Sequence, residues 1–158
     1  MKRVRLIELK IQTKRTLKFN KEIITCPEDI IELLLEENLS SDNSEIYLCS
    51  MDEENRPINI SMVSKGVNFN KNIIRDIIKT ALISNAKNVI IFEYKSTDYV
   101  KQNAIYFKNL NLIKNAFEIV GLSLIDYIIQ GYDKTFCSIN ISGKKYKQGE
   151  SFYEENNK

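Results

Sequence analysis

The sequence predicts an α/β domain, a mixed β-sheet flanked by helices. Three observations lead there. Short β-branched and aliphatic runs recur along the chain, and Val89-Ile90-Ile91-Phe92 is fully apolar, as a central strand is. Between these runs lie segments with apolar residues at helical spacing, such as Ile73, Ile74, Ile77, Ile78, Ala81 and Leu82. The two types alternate along 158 residues, a length suited to one domain.

Each element follows in order. Residues 4–12 read as a first strand. Thr25-Cys26-Pro27-Glu28 reads as a helix start, with Thr25 as cap, Glu28 three residues on and Pro27 in the first turn, where its missing N–H costs little. Ile30, Ile31, Leu34 and Leu35 form the stripe of that helix, which should end near Asn38. Residues 45–51 and 57–64 read as two strands joined by the turn Asp52-Glu53-Glu54-Asn55-Arg56, and Gly66 marks a break. Asn70 caps the second helix. Residues 89–92 form the next strand. A third helix opens near Asn103, carries Ile105, Leu112, Ile113, Ala116, Phe117 and Val120, and stops at Gly121. Residues 124–130 and 135–141 are two strands joined at Gly131-Tyr132-Asp133-Lys134. The expected domain is 1–141, followed by a polar tail at 142–158 whose last residues are expected to be disordered.

Composition narrows the chemistry. Hydrophobic residues make up 43% and charged residues 28%, ordinary for a soluble globular chain. There is no run of 18 apolar residues, so no membrane span is expected. The basic start lacks a following apolar signal region, and the expected location is cytoplasmic. Cys26, Cys49 and Cys137 form no C-x-x-C pair and read as reduced, packed thiols. The chain contains no histidine, so no imidazole can activate a cysteine or bind a metal. Net charge is only +2, yet residues 1–22 hold eight basic side chains against Glu8 and Glu22, a local 8 − 2 = +6. Lys10, Lys14, Arg15 and Lys18 are the candidates there for contact with phosphates or a partner. The plainer reading is a solvated edge strand kept soluble by lysines. Lys144, Lys145 and Lys147 form a second basic cluster, which reads more simply as a solvated tail.

Several phrases, in order, resemble the RadC-like branch of the JAB/MPN (JAMM) domain family over roughly residues 4–141. Ile24-Thr25-Cys26-Pro27-Glu28-Asp29 is similar to its "s-P-e-D" helix start. Ser44 to Leu48 and Met51 to Asn55 resemble "E-x-f-x-x-x-x-L-D-x-x-n". Val63-Ser64-Lys65-Gly66 resembles "v-s-k-G", residues 85–91 resemble "n-A-x-x-i-i-l", and residues 124–131 resemble "L-x-D-H-i-I-v-G". One departure follows Gly66, where the segment is about a residue short and the family's Pro-Arg pair falls on Ile74-Arg75. The resemblance implies a three-layer arrangement like that of cytidine deaminases.

It also implies where a zinc site would lie. The family motif H-x-H-P-S-G, with Ser and Asp in the next helix, falls on residues 92–97, Gln102 and Ile105. On this alignment the two zinc histidines become Phe92 and Tyr94, the aspartate becomes Ile105, and the serine becomes Gln102. Ser96 of the loop, Glu45 at the general-base position and Asp126 of the "D-H" pair are retained, and the histidine of that pair becomes Tyr127. Phe and Ile cannot bind zinc, and a lone phenol is a poor ligand. The expectation is therefore a domain with no metal, cofactor or catalytic site. Phe92, Tyr94 and Ile105 are expected to form an apolar plug beside Glu45, or Phe92 and Tyr94 an aromatic platform for a base or partner side chain. Glu45 and Asp126 also read simply as a strand-start and a turn-proximal carboxylate. The resemblance implies a binding module with a protein partner or a homodimeric state, of phage or mobile-element origin. Its alternatives are a DNA-repair-related, nucleic-acid accessory protein using the basic arm, and an inhibitor of a host defence complex.

Overall fold

A computed structural model describes residues 2–8, 10–35, 42–67, 70–97 and 104–139, with the side chains of 104–109 left aside. The element order is α1 (Pro27–Leu35), β1 (Glu45–Met51), β2 (Pro57–Lys65), α2 (Lys71–Ile83), β3 (Asn88–Tyr94), α3 (Ala104–Ile119), β4 (Ser123–Gln130) and β5 (Phe136–Ser138). The strands form one mixed sheet in the order β2-β1-β3-β4-β5. Among the described strands only the β3–β4 pair is parallel, and α3 is its crossover. The predicted α/β class is the class observed.

Two apolar clusters cover the two faces of the sheet. On one face, Ile73, Ile77 and Ala81 of α2 and Leu110, Ile113 and Phe117 of α3 meet Ile46, Leu48, Val89, Ile91, Tyr127 and Ile129. On the other, Ile30, Leu33 and Leu34 of α1 meet Tyr47, Cys49, Met51, Ile90, Phe92, Tyr94, Ile125 and Ile128. Alternation along a strand separates these sets, since successive side chains point to opposite faces. In β4 the alternation slips. Val89 of β3 pairs with Leu124 and the next residue, Ile90, pairs with Asp126, so Ile125 is an extra residue. This bulge turns Tyr127 onto the face of α2 and α3.

The local signals account for most element ends. Asn70 caps α2, its Oδ1 accepting from Asn72 N at 2.8 Å and Ile73 N at 3.3 Å. Gly121, with φ of +72°, ends α3 while Leu122 N donates to Phe117 O at 2.9 Å. At α1 the expected cap is corrected. Cys26 precedes the helix and Asp29, not Glu28, reaches back to it: its Oδ2 accepts from Cys26 N at 3.1 Å and from Thr25 N at 2.7 Å.

The expected first strand is also corrected. Residues 2–8 and 10–19 have no regular structure, and Val4 and Leu6 are 93% and 102% exposed. Strand preference records packing against neighbours, and Val4, Leu6, Ile7 and Ile11 are all exposed, while Leu17 and Phe19 further along pack on the α1-side cluster without joining the sheet. Among the described residues the sheet therefore has five strands, not six. The start of α3 near Asn103, the end of the last strand at 140–141, and the tail lie outside the described residues.

Candidate functional site

Glu45 opens β1 and is only 2% exposed. Its carboxylate accepts from Tyr47 Oη at 2.8 Å and pairs with Lys65 Nζ at 2.8 Å on β2. Across the sheet it is in register with Tyr94. Phe92 and Tyr94 are buried in the α1-side cluster, and the Phe92 ring lies 6.4 Å from that of Tyr47, tilted by 57°. Glu45, Phe92 and Tyr94 thus share one region of the sheet, together with Tyr47, which the sequence does not single out.

The expected aromatic platform is corrected. Helix α3, which bears Ile105, packs its described side chains on the opposite face of the sheet from Phe92 and Tyr94. Phe92 and Tyr94 belong to the core under α1, so Phe92 offers no exposed aromatic platform. The side chain of Ile105 lies outside the described residues, as do Gln102, Lys144, Lys145 and Lys147. Ser96 is half-buried in the loop after β3.

The side chains brought together on the α3 side are others. Glu93, 1% exposed, lies between Phe92 and Tyr94 in sequence and points the other way. One carboxylate oxygen accepts from Tyr127 Oη at 2.5 Å. The other is paired with the ammonium of Lys95. The backbone N of Lys95 donates to Gln130 O at 2.8 Å, which ties the end of β3 to the end of β4. Sequence reasoning does not single out Glu93 and Lys95. The signal it could use is a charged residue closing a fully apolar strand, with its next same-face neighbour of opposite charge.

Asp126 is fully buried at the β4 bulge. It accepts from Ser138 Oγ of β5 at 2.5 Å and from Tyr127 N at 2.7 Å. It thus fastens the edge strand and holds the peptide that presents Tyr127. Lys10, Lys14, Arg15 and Lys18 are exposed on the irregular arm, with Lys10 3.1 Å from Glu8. Burial pushes the thiol of Cys49 up to about 12, so it stays a packed, protonated group.

Among the described residues no three His, Cys, Asp or Glu side chains gather as a metal-binding group, and no helix is long and apolar enough to cross a membrane. A family model of RadC-like JAB domains matches residues 24–144. A UPF0758 protein of Clostridium acetobutylicum is 28% identical over 131 residues, covering 79% of this chain and 55% of that protein. The chain thus spans about half the length of that relative. The family match takes in every strand and helix from α1 to β5, and the chain belongs to the RadC-like JAB domain family.

Proposed function

We propose that this chain is a JAB domain without metal chemistry that acts as a binding module through protein–protein contact. The observation that carries the reading is the trio Glu93, Lys95 and Tyr127. In the family pattern the ligand-bearing helix follows the ligand-bearing strand, and the two strand ligands must face that helix. The positions that meet on the α3 side are Glu93 of β3 and Lys95 just after it, not Phe92 and Tyr94. We therefore place the H-x-H motif one residue later, on Glu93-Tyr94-Lys95. Tyr127, at the histidine of the "D-H" pair, then falls beside it. The general-base position moves one residue the other way: counting back from Asp52 through "E-x-f-x-x-x-x-L-D" reaches Ser44, just before Glu45.

These residues do not fit a zinc ion. Glu93 offers a carboxylate, but Lys95 is a cation, Tyr127 a phenol, and the chain has no imidazole. No hydrolytic step is assigned to them. Support for a protein contact comes from the sheet edge and the arm. Edge strand β2 exposes Ile58 and Met62, and the β-patterned arm exposes Val4, Leu6, Ile7 and Ile11. A sheet edge and a β-patterned segment outside the sheet are the two halves of a strand-addition contact.

Elemental analysis of the purified protein is expected to find no stoichiometric zinc, with a melting temperature indifferent to chelator and no peptide or isopeptide hydrolysis. About one tightly held zinc per chain would overturn the reading.

The nucleic-acid reading rests on the exposed basic arm. If it holds, changing Lys10, Lys14, Arg15 and Lys18 to Ser weakens DNA binding and flattens its salt slope by roughly 0.9 for each phosphate no longer neutralised. No DNA retention by the parent protein at moderate salt, together with a concentration-dependent dimer or hetero-complex by light scattering, favours the protein-binding reading.

A further inference from the structure

We infer that Lys95 is a built-in cation. Its ammonium gives the buried Glu93 carboxylate the positive charge that a bound metal would otherwise supply, and so closes the α3 face of the sheet to divalent ions. The inference rests on the one-residue placement of the ligand positions proposed above, and it goes further by assigning a role to the residues now there.

Three features support it. First, the geometry is complete. Alternation along β3 turns Glu93 to the α3 face, Lys95 just beyond the strand reaches its carboxylate, and the β4 bulge swings Tyr127 onto the same face. Each carboxylate oxygen of Glu93 has its own donor, one the phenol and one the ammonium. Second, the surroundings are apolar. Ile91 and Ile129 flank the trio in register and belong to the core under α2 and α3. A carboxylate there without a counter-charge would be strongly unfavourable. Third, Lys95 is held in place. Its backbone N is fixed to Gln130 O, and its side chain is only 20% exposed, so the ammonium is part of the sheet's end and not a roaming surface charge. A second cation placed beside that ammonium would be repelled at short range in a medium of low dielectric.

The experiment uses the whole 158-residue chain. Lys95→Met is expected to lower the melting midpoint by about 5 °C, because it strands the Glu93 charge, whereas Lys95→Arg costs much less. Glu93→Gln/Lys95→Met is expected to recover most of the loss, since removing both charges is far milder than removing one. A Lys95→Met protein as stable as the parent, or a double variant no better than the single, would overturn the pairing. If Lys95→Met fails to fold, a folded double variant still supports it and an unfolded one counts against it.

The placement is tested separately. With zinc added, Glu93→His/Lys95→His is expected to show a concentration-dependent rise in melting midpoint, and Phe92→His/Tyr94→His none. The reverse pattern would overturn the placement, and with it the inference. Zinc in the parent protein would instead sink the metal-free reading, so the two failures are distinguishable.

Discussion

Replacing Phe92 with alanine is expected to destabilise the fold by about 3–5 kcal/mol, the range for truncating a fully buried Phe. The ring is in register with Tyr47 on β1 and Ile128 on β4, and it lies under Ile30, Leu33 and Leu34 of α1. Sheet on one side and helix on the other leave few ways to collapse the cavity, which argues for the upper part of the range. Met62→Ala, on exposed edge strand β2, is the control and should stay within about 0.5 kcal/mol of the parent. Urea titration measures both, with an unchanged slope showing that only stability moved. A Phe92→Ala loss of less than about 1 kcal/mol would mean the ring is not packed as described. A partner-binding platform predicts the opposite result, with stability kept and binding abolished.

The contrast between Phe92 and Glu93 shows how far the sequence can be read. Strand β3 is legible because four apolar residues in a row suit a strand covered on both faces. For the same reason the run does not reveal which face each residue takes. A shift of one residue exchanges the faces, and with them the assignment of the ligand positions. The β4 bulge compounds the difficulty. Leu124, Ile125, Tyr127 and Ile128 are all apolar or aromatic, so nothing in the composition marks the extra residue. Caps and stops are easier. Asn70 and Gly121 act through their own short-range chemistry, Asn70 starting α2 and Gly121 stopping α3 where their residue types predict. The arm misleads because its β-branched residues signal a strand only when another strand lies beside it. At α1 the helix start is legible, but the capping pattern points to an acceptor one residue too early.

That acceptor gives the second large effect. Asp29→Ala is expected to cost about 3 kcal/mol near neutral pH, from charge-assisted hydrogen bonds and the lost cap. Asp29 is buried, and its carboxylate accepts from Thr25 N, Thr25 Oγ1 and Cys26 N and pairs with Lys21. Lys21 is about half exposed (50%), so screening limits what the ion pair adds. Most of the cost comes from backbone donors left without a partner at the helix start. Lys21→Met should accordingly cost much less than Asp29→Ala. The pH dependence follows from the direction of the shift. Burial alone would raise the Asp29 pKa, but the Lys21 ammonium and the donors of Thr25 and Cys26 outweigh it and hold the group below its ordinary 3.8. A carboxylate lowered in the folded state contributes stability that is fully present above its unfolded pKa. That stability is lost as pH falls through the lower, folded value. The parent should therefore exceed Asp29→Ala in stability by a constant margin from neutral pH down to about pH 5. The margin should then shrink below the ordinary carboxylate range. Denaturant titrations of both proteins at stepped pH measure it, and a margin that stays constant well below pH 3.8 would show that the carboxylate charge is not what holds the start of α1.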